Sequence, residues 1–379
     1  MGGPLQSFFL AGFECSSHIR ADGTRLDLLV STAHERWVES DYAHLQRLGL
    51  AAARDGVRWH LIETHPHRYD WSSWLPMLRA AKRQRLQVIW DLCHYGWPDH
   101  LDIWSDEFVE RFARYAQAAA AIVCEESGPS QLFCPINEIS YWAWAGGEVG
   151  RINPAAQGRG PALKRQLARA FIEAVKAVRS VDASARILCA EPLINVVGNP
   201  AIPDDVEGAA NHREAQFEAH DMIVGRRAPE LGGRAEHLDL IGANFYPDNQ
   251  WYHRGNTIPL GHHAYRCLHQ LLADVHARYG KPLLISETGA EGGGRPYWLH
   301  HVAAEVMHAR TNGVPVEGIC LYPILDYHGW DNDRICKVGL LSMPDAHGAR
   351  THCAPLLEEL RRQQALFERF DSPASRRAG

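Results

Sequence analysis

Eight apolar or β-branched runs alternate with eight stretches of helical period along this chain. The runs lie at 7–15, 55–62, 86–93, 131–137, 186–191, 237–245, 282–287 and 316–325. The helical stretches lie at 36–48, 72–84, 105–124, 161–181, 212–225, 262–279, 296–311 and 353–368. Strands that alternate with helices predict a parallel sheet covered by its crossovers. Eight such units without a break predict one closed (β/α)8 barrel, an α/β fold of the TIM type. An open doubly wound sheet competes, but it usually carries a Gly-rich phosphate loop after its first strand. Here Cys15-Ser16-Ser17-His18 follow instead. The stretch 105–124 shows how local the helical signal is. Ser105 is an N-cap, Asp106 and Glu107 suit the positive end of the helix dipole, and Phe108, Phe112, Tyr115, Ala119 and Ile122 recur at three- and four-residue steps. No Pro/Gly/Ser linker interrupts the pattern. One barrel domain over 1–370 is expected, with 371–379, small, polar and basic, as a disordered tail.

Composition narrows the function classes. The 379 residues are 46% hydrophobic and 22% charged, with a formal net charge of −6. That is the make-up of a soluble globular protein, and the acidic balance argues against a nucleic-acid partner. No stretch approaches the ~20 apolar residues needed to span a bilayer. The apolar run Phe8 to Phe13 is short and has no basic segment before it, so no export signal and a cytoplasmic location are expected. The nine cysteines include no Cys-x-x-Cys pair, and Cys93, Cys134, Cys189 and Cys320 sit in apolar patterns. They read as small buried hydrophobes in a reducing compartment. Histidine is abundant at 22, yet no His-Glu-x-x-His occurs, and the adjacent pairs His262-His263 and His300-His301 do not share a helix face. No metal or other cofactor is expected.

In a barrel of this kind the chemistry lies at the C-terminal ends of the strands. Two runs there end in a glutamate: Cys134-Pro135-Ile136-Asn137-Glu138 and Leu284-Ile285-Ser286-Glu287-Thr288-Gly289. About three strand-helix units separate them, so the two carboxylates face each other across one barrel mouth. That is the minimal equipment for breaking a glycosidic bond. The other strand ends offer His18, Arg58, Glu63, His94, Asn137, Glu191, Asn244, Tyr246 and Asp326. Singly, each has an ordinary reading as a cap or ion pair; their convergence on one rim points to a site. Trp142 and Trp144, in the loop after Glu138, either stack on a sugar or pack the rim. The glycines Gly289 and Gly292 to Gly294 read as a flexible loop rather than a phosphate cradle, because no Lys-Ser/Thr follows them.

From Phe9 to about Leu341 the chain resembles a clan A retaining glycoside hydrolase, closest to family 1, the β-glucosidases and β-galactosidases. The resemblance rests on Asn137-Glu138, Ser286-Glu287-Thr288-Gly289, Gly56-Val57-Arg58-Trp59, Asp91 to Pro98, Asp239 to Tyr246, and Tyr322 to Asp326 followed by Trp330. It implies that Glu287 is the nucleophile and Glu138 the acid/base. It implies that Arg58 pairs with the nucleophile, that Tyr246 hydrogen-bonds it, and that Asn137 contacts the sugar 2-hydroxyl. His94 resembles a histidine that binds a sugar hydroxyl, and Asn244 and Trp330 are implied substrate contacts. The carboxylates of such an enzyme stand roughly 5 to 5.5 Å apart.

The departures concern sugar recognition. The family glutamine after the first strand aligns with His18, the tryptophan platform with Tyr322, and the glutamate before the last sugar-binding tryptophan with Gly329. The family tryptophan on the second strand aligns with Glu63, and Ile139 follows Glu138 where proline is usual. Asp331 and Asp333 are candidate acceptors near the lost glutamate. In the loop 326–338, Arg334 and Lys337 stand beside three acids, which disfavours a phosphosugar. The expectation is a retaining β-glycosidase with a carbohydrate or glycoside substrate, acting as a monomer or small homo-oligomer, with no membrane partner. An endo-acting β-glycanase with an open cleft and a non-catalytic carbohydrate-binding barrel remain as alternatives. A Schiff-base aldolase needs a strand-end lysine, but Lys281 precedes its strand and Lys337 lies beyond the last one.

Overall fold

A computed structural model describes residues 5–332 and 334–372. Eight parallel strands close a barrel in chain order: β1 (Phe9–Gly12), β2 (Ala52–Gly56), β3 (Gln87–Asp91), β4 (Leu132–Cys134), β5 (Arg186–Pro192), β6 (Leu240–Asn244), β7 (Leu283–Thr288) and β8 (Val316–Leu321). Closure is made by β8 against β1, with Phe9 opposite Ile319 and Ala11 opposite Leu321. The helices on the outer wall are α1 (His34–Arg47), α2 (Leu75–Gln84), α3 (Asp106–Ser127), α4 (Gly160–Val181), α5 (Glu218–Ile223), α6 (Leu268–Tyr279), α7 (Arg295–Thr311) and α8 (Ala354–Asp371). This is the (β/α)8 barrel that the alternation predicts. Among the described residues no helix is long and apolar enough to cross a membrane.

The two-residue period of a strand divides the side chains between two cores. Leu10, Ala52, Ile89, Leu132, Leu188, Leu240, Leu284 and Cys320 fill the barrel interior. Their outward neighbours, such as Phe9, Ala53, Val88, Trp90, Phe133, Ile187, Ile241, Ile285 and Ile319, pack under the helices. Burying each large aliphatic or aromatic side chain contributes about 1.5–3 kcal/mol. The interior plug sits low, and two residues further along each strand the lining turns polar or small. Leu10 gives way to Gly12, Ala52 to Arg54, Ile89 to Asp91 and Leu284 to Ser286. The upper layer is therefore the floor of a site.

Three boundaries differ from the sequence pattern. The strand expected at 55–62 is β2 at 52–56, and Trp59–Ile62 is a helical turn. The apolar run was misleading because it packs outside the barrel: Trp59 lies against Phe112 and Tyr115 of α3, with ring centroids 5.1 and 5.3 Å away. The helix expected at 212–225 is two, Pro203–Ala215 and α5, broken where the Gln216 side chain accepts from the backbone N of Ile194 at 3.0 Å. The helix expected at 262–279 begins only at Leu268. The Ser105 cap is present, its hydroxyl accepting from the backbone N of Phe108 at 3.2 Å. At the C-terminus Asp371 is still helical and its carboxylate pairs with Arg310 at 2.7 Å. The rest of the expected tail, 373–379, and Asp333 lie outside the described residues.

Candidate active site

The centre of the barrel mouth is a guanidinium. Arg54 points inward from β2, fully buried, and all five of its N–H donors are used. Nε and Nη2 donate to the Asp91 carboxylate at 3.3 and 2.6 Å, and Nη2 also to Asn137 Oδ1 at 3.0 Å. Nη1 donates to the carbonyl of Ser286 at 2.8 Å and to Glu287 Oε1 at 3.1 Å. This corrects the expectation for Arg58. That side chain lies behind the second strand, where it pairs with Asp27 at 2.9 Å and Glu35 at 2.5 Å and donates to the carbonyl of Ser73. The displaced strand boundary explains the error: both arginines follow a short apolar stretch, but only position 54 lies in the barrel wall with its side chain inside.

Glu287 also accepts from the hydroxyl of Tyr246, at 2.9 Å on Oε2. It stands where the β6–β7 register shifts, between Ala243 and Asn244. Such an irregularity re-aims a side chain. Glu138 begins the short helix after β4 with φ of +45°, a conformation that costs a residue with a Cβ about 1 kcal/mol or more. Its backbone is pinned to Ala190 of β5 by a 2.9 Å hydrogen bond. Its carboxyl accepts from Tyr95 OH at 2.6 Å and from Asn244 Nδ2 at 2.9 Å. Burial raises the pKa of both carboxyls, Glu287 to about 8. Their interaction makes them titrate as a pair. Arg54 opposes the rise at Glu287, whereas Glu138 has only neutral donors and feels the further carboxylate of Glu191.

Asn137 is fully buried between these groups and donates to His94 Nε2 at 3.0 Å and Tyr95 OH at 3.2 Å. His94 Nδ1 faces Asp91 Oδ2 and Cys15 Sγ, each at 3.2 Å, which favours the Nδ1–H tautomer. Tyr322 lies 2% exposed over Arg54, its ring 5.4 Å from the guanidinium carbon. Gly12 makes room for that ring, since a Cβ there would come 2.0 Å from Tyr322 Cδ2.

Other expected site residues are placed differently. Asn244 is fully buried and engaged with protein, donating to Glu138 and accepting from Ser286 Oγ at 2.6 Å, so it braces a carboxyl rather than lining open space. Trp142 is fully buried, donates to the carbonyl of Asn153 at 2.8 Å and packs on Trp97; it is rim core, not a stacking platform. Trp144 is 46% exposed beside Tyr141. His18 is 1% exposed, its Nδ1 2.6 Å from Ser16 Oγ and its ring 4.7 Å from that of Trp330, and burial lowers its pKa to about 3. Glu63 is no rim charge: it is buried against Arg111 and Trp59. Asp326 accepts from the backbone N of Gly339 at 2.8 Å.

Sequence pattern missed Arg54, Tyr95 and Glu14. Arg54-Asp55 offered one signal, two opposite charges in a five-residue segment ending at Gly56. Glu14 was hidden in a run read as strand. Among the described residues, Cys15, Asp91 and His94 form one cluster of metal-ligating types, and Cys267, His269 and Glu305 another. In the first, Arg54 already neutralises Asp91 and would repel a second cation. In the second, Glu305 Oε2 already accepts from both the ring and the backbone N of His269.

No protein-family model and no curated protein matches the chain. Solved structures share its fold. A β-glucosidase from Thermotoga maritima in complex with glucoimidazole superposes with a TM-score of 0.78 at 15% identity, over 96% of this chain and 99% of that one. The AHE enzyme from Alicyclobacillus herbarius gives 0.79 at 17% identity, over 97% and 99%. A family 1 β-glucosidase from Thermotoga maritima gives 0.78 at 16% identity, over 95% and 98%. The fold is thus that of the family 1 β-glucosidases, close to the clan A resemblance read from the motifs.

Proposed function

We propose that this protein is a retaining β-glycosidase that releases a terminal β-linked sugar by double displacement. The observation that carries the reading is the unequal environment of two buried carboxyls at one barrel mouth. Glu287 is held by Arg54 and Tyr246, and Glu138 by Tyr95 and Asn244. A cation and a phenol suit a nucleophile that must stay ionised, and neutral contacts in a buried site suit an acid that must keep its proton.

In the first step Glu138 protonates the leaving oxygen while Glu287 attacks the anomeric carbon, forming a glycosyl-enzyme. Esterification removes the charge of Glu287. Its upward pull on Glu138 then disappears, and Glu138 becomes a base for the attacking water. Asn137, clamped by Arg54, sits beside Glu138, as a contact to the 2-hydroxyl requires. His94, held by Asp91, and Tyr322 floor the sugar site, with Trp330 and Trp144 at its rim. The β-glucosidase with the same fold was solved with glucoimidazole, which fits a glycoside substrate here. The mechanism asks for no cofactor. Nine unpaired cysteines, six of them buried, suit a reducing cytoplasm.

The test is a panel of p-nitrophenyl β-glycosides (glucoside, galactoside, fucoside, mannoside, xyloside, glucuronide), with Glu287→Gly run beside the wild type, with and without azide. Turnover of one sugar, lost in the variant and restored as an α-glycosyl azide, is expected. A folded protein that turns over no member, nor any β-linked oligosaccharide, would sink the reading and leave a carbohydrate-binding barrel.

A further inference from the structure

Tyr95 lies in the loop after β3, fully buried, with its hydroxyl 2.6 Å from Glu138 Oε2. Its backbone has φ of +66°, a left-handed conformation that costs a residue with a Cβ about 1–3 kcal/mol. Such strain persists only where the surroundings over-determine it. Here the Tyr95 carbonyl accepts from Asn153 Nδ2 at 3.0 Å. The ring packs among His94, Trp142, Trp330 and Tyr141, with centroids 4.8, 5.7, 5.7 and 5.8 Å away. The hydroxyl is therefore held in one place.

Its direction is held too. Arg54 Nη2 donates to Asn137 Oδ1, which turns the amide so that Nδ2 faces His94 Nε2 and Tyr95 OH. With the His94 proton on Nδ1, facing Asp91, Nε2 accepts one amide hydrogen and the phenol oxygen accepts the other. The phenol still has one hydrogen to give, and among the described residues its acceptor is Glu138 Oε2. A chain thus runs from the permanently charged Arg54 through Asn137 and Tyr95 to the Glu138 carboxyl, each group donating to the next. Asn244 donates to the other oxygen of that carboxyl. Hydrogen bonds donated to a carboxyl favour its ionised form. At Glu138 they oppose burial and the carboxylate of Glu191 on β5. His94 and Glu287 are the other titratable groups that act on this pair of carboxyls, with Arg54 and Glu14 acting on its Glu287 member.

We propose that Tyr95 is a positioning residue for the second half of the reaction: its hydroxyl, fixed as a donor by Arg54 and Asn137, holds Glu138 as the carboxylate that takes a proton from the attacking water. This rests on the glycosidase reading and deepens it. In that step the water oxygen bonds to the anomeric carbon, and the bond from that carbon to the Glu287 carboxylate breaks. The water proton goes to Glu138, and Glu287 leaves as a free carboxylate. The first half needs Glu138 protonated, so the contact speeds breakdown of the glycosyl-enzyme and slows its formation.

The test compares Tyr95→Phe, which removes the hydroxyl and keeps the ring, with the wild type on 2,4-dinitrophenyl β-glycosides of the panel sugars. This leaving group departs without an acid. Its kcat/KM reports formation of the glycosyl-enzyme, and its kcat reports breakdown. Tyr95→Phe is expected to lower kcat roughly 10-fold or more, the scale of a hydrogen bond to a charged group, while kcat/KM changes far less. Azide, which attacks without giving up a proton, should restore kcat and yield the β-glycosyl azide. On p-nitrophenyl glycosides the alkaline limb of kcat/KM should move to higher pH, because Glu138 keeps its proton longer without the donor. A proportional fall in kcat and kcat/KM, a fall that azide does not restore, or no fall at all overturns the proposal. Tyr95→Leu carries the same comparison if the phenylalanine variant does not fold. A wild type that releases no dinitrophenol from any panel sugar overturns the glycosidase reading and the proposal with it. Equal turnover by wild type and variant overturns the proposal alone.

Discussion

Arg54 and Asp55 are consecutive residues of β2 and point to opposite sides of the barrel wall. Each anchors a buried charged network, and the two networks are built differently. Outside, Asp55 accepts from His34 Nε2 at 2.8 Å and Tyr42 OH at 2.6 Å. His34 Nδ1 reaches Asp41 at 2.8 Å, and Arg350 holds the same carboxylate through Nε and Nη2. Two acids face two bases, with the His34 pKa raised by its carboxylate partners against its burial. Inside, the one guanidinium of Arg54 stands among Asp91, Glu287, Glu138 and Glu14, and the last three keep capacity for a ligand. The outer network is complete and holds α1 and the C-terminal loop to the wall. The inner one is short of cation: burial raises the pKa values of Glu14, Glu138 and Glu287, while Asp91, against its own burial, is held low by Arg54 and His94. Closed polar networks specify a structure; open ones cost stability and do chemistry.

The sharpest test of that contrast replaces the two arginines. Arg54→Met leaves Asp91 and Glu287 without their cation. It should cost about 3–5 kcal/mol of stability and lower kcat/KM in the remaining folded protein by at least about 10²–10³-fold. Arg350→Met should cost a similar 3–5 kcal/mol in urea unfolding, while kcat of the folded fraction stays at the wild-type value. If both variants lose activity alike, the networks are not separate.

Arg58→Met comes next. It removes hydrogen bonds to Asp27 and Glu35 and should cost about 2 kcal/mol without a change in kcat/KM. Lost activity with retained stability would return Arg58 to Glu287 and displace Arg54.

The smallest effects are in pH dependence. Glu14 has a folded pKa near 7, above its unfolded value. Its contribution is fully present below about pH 4.5 and is lost as pH rises through 7. Glu14→Gln should therefore stabilise the protein by about 1 kcal/mol at pH 8 and little at pH 5. The His34 pKa is also raised, so its contribution is present below about pH 6.5 and fades as pH rises through the folded value. His34→Asn should destabilise more at pH 6 than at pH 9, with Tm as the readout. A constant offset for either variant would mean that the network does not titrate as drawn.

The eightfold alternation and the two glutamates at strand ends were legible because they are local. A two-residue period against a 3.6-residue period shows in any short window, and the end of a strand marks the catalytic face of a barrel. Sequence alone thus determined the fold class, the positions of Glu138 and Glu287, and the Ser105 cap. It could not decide which arginine faces Glu287, because one face of β2 carries Ala52 and Arg54 and the other Ala53 and Asp55, a pattern that resembles no strand in isolation. Nor could it tell that Trp142 is buried while Trp144 is open, or that Glu14 looks into the mouth. Arg54 and Glu287 are 233 positions apart and meet only when β8 closes on β1. The tertiary structure decides these because the inward direction of a side chain is defined by barrel closure, and a charge is costly or useful only relative to the groups that closure brings to it.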